Sequence, residues 1–301
     1  MLKNLVRDTL HSAVVASHAE TSLAAANKYA PEWLQEGLFR RVCPPPRSFV
    51  GSPPRHARRY GLDWELDLSD YFQWHQYFGF RDDVLDTILA FTRDAQLFVD
   101  VGANIGFYSA CAARASSTLC VRSFEANPTT AAKLQRHVEM NRIRNVTLDC
   151  VGVAELPGEA MLRDHGGGEP GKFSLRDGGS GGHRISLQPL DALLADETTT
   201  GPVVMKIDVE GFEPEVILGA RRFLEASRPR ILFEWTVEWM HGKEDVASRA
   251  RSLLDELGYR TGIVEGVHDR SVSVRRVSLG GHLESRNLVA YHAGDSAIVE
   301  V

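Results

Sequence analysis

The sequence predicts an α/β fold built on an open, mostly parallel sheet, and three observations carry that prediction. The first is Leu97-Phe98-Val99-Asp100-Val101, too short for a helix and apolar except at Asp100. It reads as a strand buried on both faces. The second is the turn beyond that strand: Gly102 and Gly106, then the alanine-rich, helix-compatible segment 107–115. A strand, a tight glycine turn and a helix form one half of a nucleotide-binding βαβ unit, with unpaired N–H groups at the helix start. The third is recurrence. Short apolar runs at 119–124, 146–151, 203–209 and 230–235 are separated by helix-compatible segments, the pattern of a parallel sheet.

The turn chemistry narrows the ligand. A dinucleotide fingerprint reads G-x-G-x-x-G, whereas this chain reads Asp100-x-Gly102-x-Asn104-x-Gly106. An acid at the strand end suits a cation such as an α-ammonium better than a pyrophosphate. S-adenosylmethionine carries both an ammonium and a sulfonium. The plain alternative is an ordinary βα turn with incidental glycines. Glu125 closes the next strand about twenty residues past Gly102, where such folds place the acid that holds ribose hydroxyls. Asn127-Pro128 then supplies an N-cap and a first helical residue.

Val99-Asp100-Val101-Gly102-Ala103-Asn104-Ile105-Gly106 resembles the opening motif of the FkbM family of S-adenosylmethionine-dependent methyltransferases. So does Met205-Lys206-Ile207-Asp208-Val209-Glu210-Gly211-Phe212-Glu213, with Gly219-Ala220 beyond it. Phe124-Glu125-Ala126-Asn127-Pro128, Pro189-Leu190-Asp191, Pro229-Arg230-Ile231-Leu232-Phe233-Glu234 and Asn287-Leu288 add to the likeness, which spans about 70–301. The resemblance implies a class I methyltransferase, Rossmann-like fold: a seven-stranded, mostly parallel sheet with helices on both faces. It also implies O-methylation of a hydroxyl, often on a sugar or other small molecule. The family often has a serine pair in the hairpin over 156–184; Phe173-Ser174 departs from it.

Composition excludes several classes. With 43% hydrophobic and 25% charged residues the chain is that of a soluble globular protein. A net charge of -6 gives no electrostatic reason to bind nucleic acid or an anionic membrane. No segment approaches the ~18 apolar residues of a membrane helix, and no signal peptide is expected. Cys43, Cys111, Cys120 and Cys150 form no C-x-x-C pair, so a reducing cytoplasm and no zinc site are expected. Cys120 and Cys150 are read as small hydrophobes in buried strands.

Along the chain, residues 1–60 are expected to form a helical extension with, over 44–60, a proline- and arginine-rich linker; 61–301 would be the methyltransferase domain. Residues 61–80 hold a dense aromatic cluster, Trp64, Tyr71, Phe72, Trp74, Tyr77, Phe78 and Phe80, read chiefly as packing. By the resemblance it lies near the active-site mouth. The run 146–151 is the third strand, and Gly152 and Val153 fall where this fold meets adenine. Residues 156–184 read as a glycine-rich hairpin, 159–163 with 183–187. The helix near 244–257 leads to a last antiparallel pair, 259–264 and 287–292.

The expected cofactor-binding residues are therefore Asp100, Gly102, Asn104, Gly106, Glu125, Gly152, Val153 and Asp208. Asp208 and Glu210 alternate onto one face at the carboxyl end of a strand, where open α/β sheets bind ligands. They are the expected catalytic acids, removing the acceptor's proton, with Lys206 beside them. A divalent metal on Asp208, Glu210 and Glu234 is the alternative; no histidine joins them. The D/N-P-P-Y/F-like tetrad of amine methyltransferases is absent. A non-catalytic, partner-binding version of the fold is the other rival. The oligomeric state is left open.

Overall fold

The computed structural model describes residues 11, 13–15, 19–164, 173–174, 182–235, 244–268, 271–279 and 286–301. The chain divides into two compact units, one of the described residues up to Asp82 and one of those from Asp83 onward.

The first unit holds the helix Glu20–Lys28, short helical turns between Glu32 and Val42, a hairpin and the helix Tyr71–Phe78. The hairpin pairs β1 (Arg55–Arg59) with β2 (Leu62–Leu66). Asp70 starts the aromatic helix by accepting from the Gln73 N–H, and Gly79, at φ 72°, ends it. Trp64, Trp74, Tyr77, Phe78 and Phe80 are buried, so most of the aromatic cluster is core. The segment expected as a linker is built structure. Arg55 pairs at 2.9 Å with a fully buried Glu20, Arg59 donates to the carbonyls of Gln76 and Tyr77, and Trp74 Nε1 donates to the Pro44 carbonyl. Two of its arginines, Arg55 and Arg59, thus serve acceptors within the fold.

The second unit is organised on β3 (Leu97–Val101), β4 (Cys120–Phe124), β5 (Val146–Asp149), β10 (Val203–Ile207), β11 (Arg230–Trp235), β12 (Tyr259–Val267), β13 (Val272–Arg276), β14 (Arg286–His292) and β15 (Ile298–Glu300). Their order is β15-β13-β12-β14-β11-β10-β3-β4-β5. From β11 to β5 neighbouring strands are parallel, and β14 is antiparallel to both β11 and β12. These are the seven expected strands. β13 and β15, too short and mixed in polarity to stand out in the sequence, widen the sheet to nine. Every residue of β3 and β10 is buried, as their apolar runs require for central parallel strands.

A second sheet, in the order β6-β9-β7-β8, is formed by β6 (Gly152–Val153), β7 (Gly158–Asp164), β8 (Phe173–Ser174) and β9 (His183–Gln188). The expected third strand is thereby cut short. Its ladder ends at Asp149, the Val151 N–H turns back to the Asp149 carbonyl, and Gly152 leaves to pair with Leu187. Gly166, Gly167, Gly168, Gly178, Gly179 and Gly181 lie outside the described residues. Cys120 and Cys150 are exposed, not buried as expected; Cys120 opens β4 at its outer end and Cys150 sits in the turn after Asp149.

Two motif residues turn out to be structural clamps. The Asp191 carboxylate accepts from the backbone N–H groups of Arg222 and Phe223 and so caps the helix Arg221–Ser227 from a distance. Arg230, only 6% exposed, binds Asp94, Asp295 and the Phe91 carbonyl at the start of β11. A fork of fixed donors suits that role.

Candidate active site

The site is built where β3 and β10 end side by side. Met205 pairs with Val99 and Ile207 with Val101, which brings the glycine turn beside the residues after Ile207. The Asp208 N–H extends the ladder to the Val101 carbonyl at 3.1 Å. Gly102 adopts φ 75°, and a Cβ there would fall 1.9 Å from the Asp208 carbonyl oxygen. Gly106, at φ 81°, would meet Leu134 Cγ at 2.5 Å. The glycines are thus demanded by the protein's own packing as well as by conformation.

Lys206 is the centre of the charge arrangement. Its ammonium donates to the Gly102 carbonyl at 2.9 Å and lies 3.3 Å from Asp100 Oδ1, 3.5 Å from Asp208 Oδ2 and 5.4 Å from the Tyr108 ring centroid. Burial pulls its pKa down, but Asp100 and Asp208 outweigh burial and the net direction is up. Lys206 is therefore a buried, fully paired ammonium. Asp100 is fully buried and also accepts from the Ser109 hydroxyl at 2.6 Å. The ammonium that it meets is the protein's own. Of the three charged side chains only Asp208 reaches solvent, 43% exposed against 4% for Lys206 and 0% for Asp100.

Strand alternation does not put Asp208 and Glu210 on one face, because β10 stops at Ile207 and both acids sit in the loop after it. Glu210 is left-handed at φ 55° and Gly211 has φ 96°. That loop is held by Glu213, which reads in the sequence only as a helix start. Glu213 Oε1 accepts from the N–H groups of Val209 at 3.0 Å and Gly211 at 3.2 Å. Burial pushes its carboxyl up to about 7. A glutamate at N1, just past a glycine-containing loop, is the signal that could have exposed it.

Glu125 spans the second strand end. Its oxygens accept from the N–H groups of Asn104 and Asn127, each at 2.8 Å. Asn104 presents that N–H from a left-handed conformation, φ 51°. Burial raises the Glu125 pKa against the pull of those two bonds. Gly152 and Val153 are less open than expected. Gly152 packs on Leu187, where a Cβ would fall at 2.6 Å, and the Val153 side chain belongs to the core. Among the described residues no three His, Cys, Asp or Glu side chains gather as a metal site.

Residues 100–261 match the model of the FkbM methyltransferase domain. The chain belongs to the FkbM family of S-adenosylmethionine-dependent methyltransferases. No curated protein matches it. Among solved structures this FkbM chain is similar to the methyltransferase FkbM from Methylobacillus flagellatus KT, at 17% identity and a TM-score of 0.41, covering 93% of this chain and 60% of that one. It is also similar to a precorrin-6y C5,15-methyltransferase from Geobacter metallireducens, at 16% identity and a TM-score of 0.37, over 70% and 89%. A third is a Streptococcus mutans protein in complex with SAH, at 11% identity and a TM-score of 0.40, over 69% and 93%.

The residues present fit the cofactor. Each Glu125 oxygen takes one backbone N–H and retains a second lone pair. A vicinal diol such as that of a ribose offers two donors. The helix Phe107–Ala115 starts at Gly106 with no side chain capping it, so its positive end is not masked by an acid.

Proposed function

We propose that this methyltransferase acts on a hydroxyl group of a small molecule or sugar. The observation that carries the reading is Asp208: a solvent-reaching carboxylate at the sheet's carboxyl end, held 3.5 Å from a buried ammonium. S-adenosylmethionine supplies the methyl group and the leaving thioether. Asp208 accepts the acceptor's hydroxyl proton, leaving the oxygen electron pair free to attack. Lys206 positions Asp208 and, being buried, touches no acceptor. Glu210, in the same loop, is the second candidate acid. Glu125 takes the ribose hydroxyls. Asn104, Gly102 and Gly106 shape the turn that carries the cofactor, and Asp100 fixes Lys206. Gly152 and Val153 offer adenine only backbone.

The test is methyl transfer from labelled cofactor to a panel of hydroxylated acceptors, with amines in parallel. At saturating cofactor, Asp208→Asn should lose about 10²–10⁴-fold in rate, the usual contribution of a general base. A chelator should leave the wild type unchanged. A wild-type rate in Asp208→Asn removes the base. Chelator-sensitive turnover restored by Mg²⁺ replaces it with a metal, and transfer to amines alone overturns the hydroxyl assignment.

A further inference from the structure

The second unit has a hollow of about 550 Å³ between the helix Glu244–Glu256 and the strands β12 and β13. Its place in the sheet separates it from the methyl-transfer site. β12 runs in the same sense as β11, because each is antiparallel to β14. Tyr259 and Arg260 begin β12, and Arg276 ends β13 opposite Gly262. The hollow therefore opens at the amino-terminal edge of the parallel strands, the edge opposite Gly102 and Asp208.

Its lining is cationic in a chain of net charge -6. Arg251, Arg260 and Arg276 line it, with Asp255 as the single acid. Arg251 donates to the Leu279 carbonyl through one nitrogen, Nη1, at 3.0 Å, so its fork is anchored with other N–H groups left over. Arg260 shares Glu300 at 2.7 Å, and Arg276 is exposed. Ser252 adds a hydroxyl. Tyr259 also lines the hollow, only 5% exposed, with its ring packed on His292. Val277 and Leu279 give the same wall an apolar part.

We propose that this hollow binds a small organic phosphate of up to mononucleotide size. Guanidinium forks recognise phosphate oxygens in pairs. A concave site with an excess of one sign of charge concentrates its counter-ion. The volume lies within the range of small-molecule sites, about 300–1,000 Å³, and the apolar wall accommodates a carbon skeleton. Nothing in this binding depends on the proposed hydroxyl acceptor.

The experiment is calorimetric titration of the full chain with uridine monophosphate at low salt. Saturating S-adenosylhomocysteine keeps the nucleotide out of the cofactor site. Uridine and inorganic phosphate are titrated alongside. Binding of uridine monophosphate is expected, weakening as salt rises. Arg276→Glu and Arg260→Ala should each lower the affinity at least about tenfold, one lost charged contact. Both are surface substitutions, and unchanged S-adenosylhomocysteine affinity verifies that each variant is folded. Equal affinity for uridine and uridine monophosphate, no binding at all, or binding that both variants retain would each overturn the proposal. Phosphate bound as tightly as the nucleotide would remove the organic part of it.

Discussion

Replacing Glu213 by glutamine should flatten the pH dependence of stability. The carboxyl is 1% exposed, its Oε1 serves two backbone donors, and its Oε2 has no partner among the described residues. Burial raises its pKa from 4.5 to about 7. A raised pKa means that the folded state favours the protonated form. The stability this group contributes is complete below about pH 4.5 and is lost as the pH climbs through about 7. Above that the protein carries a buried charge. At about 1.4 kcal/mol per pH unit, the full swing is about 3 kcal/mol. Glutamine keeps an oxygen for the Val209 and Gly211 donors and cannot ionise. Urea unfolding of both proteins should therefore be measured at intervals from pH 4 to pH 8. The stability difference, wild type minus Glu213→Gln, should fall by up to about 3 kcal/mol across that window. Two parallel pH profiles would refute the reasoning, because they would mean that the carboxyl titrates alike in both states.

The site carries three further expected outcomes. Gly102→Ala sets a Cβ against the Asp208 carbonyl in a left-handed conformation; it should cost about 2–4 kcal/mol in urea unfolding and cofactor binding with it, and an unperturbed variant would contradict the packing. Lys206→Met leaves the buried Asp100 charge without its ammonium and should destabilise by about 3–5 kcal/mol. Adding Asp100→Asn to it should recover much of that loss, and no recovery would mean that the pair is not the cause. Glu125→Ala should weaken S-adenosylhomocysteine binding about tenfold to a hundredfold by calorimetry, the worth of about 1.5–3 kcal/mol in charged hydrogen bonds; equal affinity would leave Glu125 only its role as a backbone staple.

What the sequence made legible was local. The strand at Leu97–Val101, its glycine turn and the Asn127 cap each announce themselves within a few residues, and all are found where expected. The invisible parts join residues far apart. Asp100 reads as a free acid until Lys206, 106 positions later, is brought to 3.3 Å. Asp191 reads as a helix residue until Phe223 donates to it. Periodicity also failed where it was stretched past a strand's end. Extending β10 from Ile207 to Val209 placed Asp208 and Glu210 on a pleat that is not there. Cys150 was misplaced for the same reason, since the ladder of β5 stops at Asp149.

The close seat of Gly102 against the Asp208 carbonyl constrains anyone who wishes to redesign this enzyme. The Asp208 N–H bonds Val101, and the Lys206 ammonium bonds the Gly102 carbonyl. Glu213 ties down the far end of the loop. The two chain segments are thus tied through their backbones, and a backbone shift in one is passed to the other. Libraries that move the backbone over 208–213 would therefore be expected to disturb the glycine turn at the same time. New acceptor range is better sought by grafting or lengthening segments that touch neither Gly102 nor Asp208.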